Sequence, residues 1–415
     1  MCRRILLSLV AFAAALIAPG LARADTVTQW NQNAVTVLMG NLGQGPQLSV
    51  PHLAMVHGAV YDAVNAIDGS HEGYLLTSRV GAPFDSKDAA AATAAYRVLR
   101  SIVPDAQKPL VDAQYAASLA GIPDGVAKTR GIAVGEAAGA AMIAARTADG
   151  RFGAPGFPLG TPGPGVWEPV LPAFVNDPNA WLRNVTPFLI RSSSQFRTAG
   201  PDPLTSHRYA RDFNEVKDYG RAGDGSARSA DQTSAARYWA ENPPGTWSRI
   251  LRTLSAQEGL SLDENARLYA MAYMTAADSL ISVWDDKAHY AFWRPITAIR
   301  RADTDDNPRT EKEEGWLPLI ATPPYPEHPS GHTGLSGSMV ATLQDFFGTD
   351  RIGWTDTNNG GLTRSFTRFS EAIDEVIDAR VWSGIHFRNA DEQGARIARR
   401  VAKWREHHYF RPVHR

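Results

Sequence analysis

The chain has 415 residues, with 42 lysines and arginines against 43 aspartates and glutamates, and it contains one cysteine. A nearly neutral charge without a basic run argues against nucleic acid as the main partner. Because one cysteine cannot form an intramolecular disulfide, the fold must be stabilised by burial of apolar side chains. A chain of this length can bury a large core, as one big domain or as two smaller ones.

The first 24 residues have the pattern of a secretory signal peptide. Arg3 and Arg4 precede an apolar stretch, residues 5–18, and small residues around Ala24 form a cleavage site. We therefore expect export to the periplasm or the cell exterior, with loss of three arginines and of Cys2. No later segment is apolar and uncharged over the length that a bilayer requires, so we expect a soluble mature chain without a membrane span.

Helical periodicity extends along nearly the whole chain, and strand-like alternation is hard to find. We therefore predict an all-α fold. The predicted helices are residues 53–67, 89–102, 108–118, 127–147, 202–219, 229–241, 246–258, 262–285, 331–347, 370–381 and 391–406. Asp202 is placed to cap the start of one helix, and Gly259 and Gly348 are placed to follow the ends of two others.

A stretch rich in glycine and proline divides the chain. Residues 151–201 also contain several buried-type aromatic residues, so we interpret them as an ordered, irregular connector rather than as disorder. The connector separates a predicted N-terminal helical bundle, residues 25–150, from a predicted C-terminal helical bundle, residues 202–415.

A weak internal repeat bears on this division. Met55 and Asp62 recur, with the same spacing and similar neighbours, as Met271 and Asp278. Two related four-helix bundles in tandem would produce such a repeat. Chance similarity between two alanine-rich helices would produce it as well.

The first segment with a clear chemical character carries two cations in aromatic surroundings. At about 100° per residue, Lys287 and Arg294 lie on one helix face, and Pro295 breaks or kinks that helix. The neighbouring Trp284 and Trp293 indicate burial, and buried cations require a partner anion. The alternative is a solvated charged face.

The second segment is Pro329, Ser330, Gly331 and His332, placed at the start of a predicted helix. The N-terminus of a helix offers unpaired N–H groups and the positive end of the dipole, which bind oxyanions. Ser330 adds a hydroxyl, and Gly331 lets the backbone approach a ligand closely. Taken alone, the segment is also ordinary helix capping.

The third segment contains Arg380 and His386. Six residues apart, they would not share a face of a regular helix, but Ser383 and Gly384 offer a bend or a helix end that turns His386 inward. A histidine near the negative end of a helix dipole is the alternative. Together, the three segments supply three cations, a hydroxyl and two imidazoles, which are the groups that a tetrahedral oxyanion site needs.

These segments resemble the signature shared by vanadium-dependent haloperoxidases and the type-2 phosphatidic acid phosphatase superfamily: K-x6-R-P, P-S-G-H and S-R-x5-H-x3-D. Much of the remaining chain is similar to the soluble, exported bacterial branch of the haloperoxidases. The chain departs from the signature at two positions. Ala379 replaces its serine, and Ala390 stands where its acid belongs, with Asp391 following. The role of that acid in orienting His386 is therefore open.

The resemblance implies an all-α fold of helical bundles with vanadate, or phosphate as a competing isostere, bound in the C-terminal half. The residues that it implies around the anion are Lys287, Arg294, Ser330, Gly331, Arg380 and His386. Axial His386 would bond the vanadium, and His332 would act as the acid–base group. Lys287 would polarise hydrogen peroxide for the oxidation of halide, and the use of an organic acceptor is open.

The same residues suit two other functions. In an acid phosphatase, His386 would form a phosphohistidine and His332 would protonate the leaving alcohol. A catalytically silent oxyanion-binding protein is the third alternative. Trp284 and Tyr325 would line the halide or substrate pocket, or else pack in the core.

Two acidic residues outside the signature also have two interpretations. Asp212 and Glu215 would either support one of the site arginines or lie on an exposed helix face. The exposed face is the simpler expectation.

Overall fold

A computed structural model of the chain describes residues 25–77 and 80–413. The expected signal peptide, residues 1–24, lies outside the described residues, so export stays a prediction. Among the helices of the described part, none is long and apolar enough to cross a membrane.

The regular secondary structure of the described chain is almost entirely helical, which confirms the all-α prediction. The helices before the connector are α1 (Thr26–Val35), α2 (Pro46–Asp68), α3 (Lys87–Ile102), α4 (Lys108–Ala120) and α5 (Val126–Ala145). Those after it are α6 (His207–Tyr219), α7 (Ala230–Tyr238), α8 (Pro243–Gln257), α9 (Leu262–Tyr290), α10 (Pro295–Arg300), α11 (Gly331–Phe347), α12 (Phe369–Trp382) and α13 (Arg388–His408).

One small antiparallel hairpin was not expected from the sequence. Its strands are β1 (Trp354–Thr357) and β2 (Thr363–Phe366), and Trp354 pairs with Phe366 across it. Both of these aromatic side chains are buried. Strands of four residues are too short to show a clear alternation in the sequence, which is why the pattern did not reveal them.

The helix-end predictions have mixed outcomes. The expected cap Asp202 is wrong, because α6 begins at His207 and the Ser206 hydroxyl accepts a hydrogen bond from the Tyr209 N–H. The two glycines are placed as expected. Gly259 and Gly348 follow α8 and α11 with φ of 64° in each case, the left-handed conformation that glycine adopts without strain.

Helix α9 is the central element of the fold. It packs against α2 on one side and against α11 and α13 on the other. Helices α2, α3 and α5 also pack against one another, as do α11, α12 and α13. Because α9 contacts both groups and one apolar core runs through them, the two-bundle division of the chain stays a prediction.

The internal repeat has a structural counterpart in α2 and α9. The Asp62 carboxylate accepts hydrogen bonds from the backbone N–H groups of residues 74–76, and the Asp278 carboxylate accepts them from residues 188–190. Both aspartates are buried. Because each aspartate accepts hydrogen bonds from three consecutive backbone N–H groups, the two helices are more simply explained by related bundles than by chance similarity.

The connector is ordered but has little regular structure. Between α5 and α6 it contains one 3-10 turn, Ala180–Asn184. Trp167 and Trp181 are buried in it, and the Trp167 N–H donates to the carbonyl of Ala291, just beyond the end of α9. The connector therefore packs on the segment that carries the first site residues.

We expect Asp278→Ala to lower the free energy of unfolding by about 3–5 kcal/mol, because three buried N–H groups lose their acceptor. Urea unfolding followed by circular dichroism measures the change. Asp263→Ala on the same helix is the matched control. Asp263 forms a partly exposed ion pair with Lys87, so its loss should cost about 1 kcal/mol or less. Equal decreases in the free energy of unfolding of the two variants would contradict this account.

Candidate oxyanion site

Lys287 and Arg294 do not share a helix. Lys287 lies in the last turn of α9, which ends at Tyr290, and Ala291 then adopts a left-handed conformation with φ of 41°. Arg294 is the extended residue before α10, and Pro295 is the first residue of that helix. The prediction of one helix face, with a proline-induced break after it, is therefore wrong.

Both cations nevertheless converge on the segment that precedes α11. Lys287 Nζ donates to the carbonyl oxygens of Pro326 and Glu327 at 2.6 and 3.0 Å. Arg294 Nε donates to the carbonyl oxygen of Tyr325 at 2.8 Å. These bonds fix the two long side chains, but neutral carbonyls leave their charges uncompensated.

Arg380, in the last turn of α12, is the third buried cation. Lys287, Arg294 and Arg380 are at most 5% exposed, and within the described ranges none of them forms an ion pair. Burial, followed by repulsion from Arg294, holds the pKa of Lys287 well below its ordinary value. Burial also lowers the pKa of Arg294 to about 10. Three desolvated cations make this a strong site for an anion.

The turn after α12 directs His386 into the protein, as the sequence indicated. Helix α12 ends at Trp382, and Gly384 follows with φ of 79°. Gly384 lies directly against Gly220, and a Cβ atom there would clash with the Gly220 carbonyl oxygen. This close turn leaves the His386 side chain only 2% exposed.

The partners of the His386 ring determine its tautomer. Nε2 lies 3.2 Å from Arg294 Nη1, and Nδ1 lies 3.0 Å from Glu327 Oε1. Because a guanidinium can only donate, Nε2 must accept, and the proton therefore resides on Nδ1 and is donated to Glu327. Burial, and then the charges of Arg294, Lys287 and Arg380, hold the pKa of His386 well below its ordinary value. The neutral ring points a lone pair at the cations.

The start of α11 forms another wall of the site. Ser330 precedes the helix, but its hydroxyl makes no capping hydrogen bond. Gly331 lies against the ring of Trp284, where an added Cβ would be 2.9 Å from Cζ3. His332 follows in the first turn, and burial together with Arg380 holds its pKa well below the ordinary value.

Several buried polar atoms around His386 are suited to an oxyanion. Within the part of the chain that the structure describes, four atoms of the site have no hydrogen-bond partner: Arg294 Nη2, Arg380 Nε, Ser330 Oγ and His332 Nε2. Buried polar groups are rarely left without partners. Two guanidinium N–H groups, a hydroxyl and an imidazole match the hydrogen-bonding needs of vanadate or phosphate.

Asp391 does not take the place of the acid that the signature has at position 390. Its carboxylate faces the Ser330 hydroxyl without ordinary hydrogen-bond geometry, and its electrostatic partners include Arg380. Burial raises its pKa well above the ordinary value. No described contact joins Asp391 to His386.

Glu327 is the functional candidate that the sequence analysis missed. It is 1% exposed, and its Oε1 accepts hydrogen bonds from His386 Nδ1 and from the Phe387 N–H, each at 3.0 Å. Burial raises its pKa to about 7, against the lowering effect of Arg294 and Lys287. A carboxylate between Pro326 and Pro329, directly before the serine–glycine–histidine run, was the available signal.

A cavity of about 330 Å³ opens onto the site. Its lining includes His332, Arg380, His386, Trp284 and Tyr325. The rings of Trp284 and Tyr325 are 5.0 Å apart between centroids, so both residues named as possible pocket walls do border the cavity.

Lys287 and Arg294 lie behind this cavity wall. Neither lines the cavity, and each has its charged group 5.0 Å from the centroid of the Tyr325 ring. The wall is supported from the connector, because Trp284 Nε1 donates to Asp177 Oδ2 at 3.3 Å. No pattern in the sequence indicated this role of Asp177.

Asp212 and Glu215 support the start of α13 rather than a site arginine. Asp212 Oδ2 accepts from the Asn389 N–H at 2.9 Å, and Glu215 binds the Arg388 guanidinium. Asp212 is 1% exposed, so the expectation of an exposed helix face is wrong for it. Both residues stabilise the helix that follows His386.

Residues 267–415 match the family model described as the VCPO second helical-bundle domain. The matched range includes all nine residues that the sequence analysis assigned to the site or its pocket. The roles of these residues in binding and catalysis stay predictions, because the match concerns the domain and not the function of single side chains.

A vanadium chloroperoxidase of Curvularia inaequalis is 27% identical over 411 residues, an alignment that covers 79% of this chain and 66% of that protein. The chain therefore spans about two thirds of the length of that curated relative.

Solved structures are similar over almost the whole chain. The crystal structure of the first bacterial vanadium-dependent iodoperoxidase has a TM-score of 0.80 and 23% identity, and the match covers 94% of this chain and 97% of that one. An apo-type bacterial vanadium-dependent chloroperoxidase has a TM-score of 0.69 and 16% identity, with 87% and 93% covered. These likenesses establish a shared fold. In its matched domain, its curated relative and its fold, the chain is similar to vanadium haloperoxidases.

Proposed function

We propose that this protein is a vanadate-dependent haloperoxidase that oxidises halide with hydrogen peroxide. The observation that carries the proposal is the set of three buried cations without an ion pair in the described chain, grouped near the Nε2 lone pair of His386, which accepts from Arg294 Nη1. A tetrahedral oxyanion with two to three negative charges would compensate them. The similarity to vanadium haloperoxidases supports vanadate as that anion.

The residues present fit vanadate. Arg294 Nη2, Arg380 Nε and the Ser330 hydroxyl would donate to its oxygens, and these are atoms without another partner among the described residues. The N–H of Gly331, at the start of α11, would donate as well. His386 Nε2 would bind the vanadate, since Nδ1 carries the proton.

Bound vanadate would supply a Lewis acid that activates hydrogen peroxide without changing its own oxidation state. The chain would supply proton transfer and charge. His332 borders the cavity with a neutral imidazole, so its Nε2 would accept a proton from entering peroxide and return it to the leaving oxygen. Lys287 Nζ would stabilise negative charge on the reacting oxygen atoms.

The cavity would admit the second substrate. Apolar side chains such as Leu280, Ile320 and Leu335 line it beside the aromatic pair Trp284 and Tyr325. A halide fits such a space together with peroxide, and a small organic acceptor would also fit. These walls would exclude bulk water from the reacting atoms.

The direct test is halide oxidation by the purified protein, with hydrogen peroxide and iodide or bromide in phosphate-free buffer, before and after addition of orthovanadate. We expect activity only with vanadate, and we expect phosphate to compete with it. Hydrolysis of p-nitrophenyl phosphate that vanadate inhibits, without halide oxidation, would instead assign an acid phosphatase. Binding of vanadate without either activity would assign an oxyanion-binding protein.

We expect oxyanions to stabilise the protein against heat. Phosphate or vanadate at about 100 times its Kd should add about 2.7 kcal/mol, visible as a rise in Tm by differential scanning fluorimetry. Arg294→Gln should remove most of this rise, because a buried charge at the anion is lost. Arg221→Gln is the matched control, since Arg221 is ion-paired with Glu313 outside the site. An unchanged rise in Arg294→Gln would contradict the assigned anion site.

Alanine substitutions at the two histidines should affect vanadate binding and turnover differently. His386→Ala should abolish tight vanadate binding, because the nitrogen that would bind vanadate, Nε2, is lost. His332→Ala should retain binding but lose turnover by about 10²–10⁴-fold, the usual contribution of an acid–base group. Equilibrium binding and halide oxidation, measured on both variants, check this. Full activity of His386→Ala would refute the site assignment.

A further inference from the structure

We propose that Glu327 is the positioning residue that fixes the ring and tautomer of His386, in place of the acid that the related signature carries four residues after this histidine. The inference rests on the proposed function, in which His386 Nε2 binds vanadate. It assigns to a residue just before Ser330 a role that the signature gives to a residue on α13.

The contacts of Glu327 make it suitable for this role. One carboxylate oxygen, Oε1, accepts from both His386 Nδ1 and the N–H of Phe387, so it fixes the ring and its backbone together. The Glu327 carbonyl oxygen also accepts from Lys287 Nζ. One residue thus links an anion-binding cation to the axial histidine.

The alternatives on α13 do not reach the ring. Position 390 is a buried alanine, and its carbonyl oxygen accepts from the Ser330 N–H. Asp391 interacts with Ser330 and Arg380. Glu327 is therefore the carboxylate that the structure places on Nδ1.

The chemical consequence concerns the opposite nitrogen. A carboxylate that accepts from Nδ1–H keeps the lone pair on Nε2 and increases its basicity, as partners of metal-bound histidines do. Arg294 also favours this tautomer by donating to Nε2, but vanadate would compete for that same lone pair. The bond to Glu327 is on the far side of the ring and would persist after vanadate binds.

Three variants of the full chain separate the hydrogen bond from charge and packing. Glu327→Met keeps a similar volume but has no acceptor of comparable strength, and Glu327→Gln keeps an acceptor oxygen without the charge. Glu215→Gln is the matched control, because Glu215 pairs with Arg388, two residues after His386, and does not contact the ring.

Two measurements apply to each variant. Nitrogen-15 NMR of histidine-labelled, vanadate-free protein reports the tautomer of His386, with the resonance assigned by its loss in His386→Ala. Equilibrium dialysis with orthovanadate reports affinity. We expect wild type and Glu215→Gln to show a proton on Nδ1 and affinities within about twofold of each other.

For Glu327→Met, we expect a mixture of tautomers, because the cost of a buried Nδ1–H without an acceptor offsets the preference that the 3.2 Å contact with Arg294 confers. We also expect an affinity about 10–100-fold lower. Glu327→Gln should restore the Nδ1–H tautomer and most of the affinity. An unchanged spectrum and unchanged affinity in Glu327→Met would overturn the proposal. Equal losses of vanadate affinity in the Met and Gln variants, without a change of tautomer, would also overturn the proposal. They would show that only the charge of Glu327 matters.

The test still decides the role of Glu327 if wild type binds no vanadate or if one variant does not fold. If wild type binds no vanadate, the proposed function fails, while the vanadate-free spectra still decide the role of Glu327. If Glu327→Met does not fold, Glu327→Asp replaces it. This change keeps the charge but shortens the side chain by one methylene, so we expect a partial loss of the Nδ1–H tautomer. A spectrum like that of wild type would contradict the proposal.

Discussion

The structure depends on three positive charges that are buried without an ion pair in the described part of the chain. Lys287, Arg294 and Arg380 are removed from water by tryptophan, tyrosine and helix backbone, and their nearest fixed partners are largely carbonyl oxygens. Desolvation of such charges costs several kcal/mol each. This arrangement lowers the stability of the fold unless an anion compensates the charges.

The segment from Tyr325 to Ser330 connects the parts of the site. Its carbonyl oxygens accept hydrogen bonds from Lys287 and Arg294, and the Glu327 carboxylate accepts one from His386 Nδ1. Its last residue, Ser330, directly precedes α11. Residues that are distant in sequence are therefore aligned through one short stretch of backbone. Displacement of this stretch would move Lys287, Arg294, His386 and the start of α11 together.

The sequence predicted the helical class and the residues that meet at the site, because helical periodicity and fixed motif spacings are local properties of the chain. It did not predict how Lys287 and Arg294 meet. The left-handed Ala291 ends α9 at a residue that favours helices, and tertiary contacts such as the Trp167 N–H on the Ala291 carbonyl decide this. Contacts between distant segments, including those of Asp177 and Asp212, left no pattern in the sequence.

The carboxylate at Nδ1 of His386 comes from a different segment than the acid of the related signature. An imidazole that must offer Nε2 to a ligand needs an acceptor at Nδ1, but the acceptor can come from any segment that reaches the far side of the ring. With alanine at position 390, the α13 side of the ring provides no carboxylate. The segment before Ser330 already approaches His386, because Lys287 and Arg294 hold its backbone there. A glutamate at position 327 therefore reaches Nδ1 without any rearrangement of the helices, so Lys287 and Arg294 also determine where a carboxylate beside His386 can be placed.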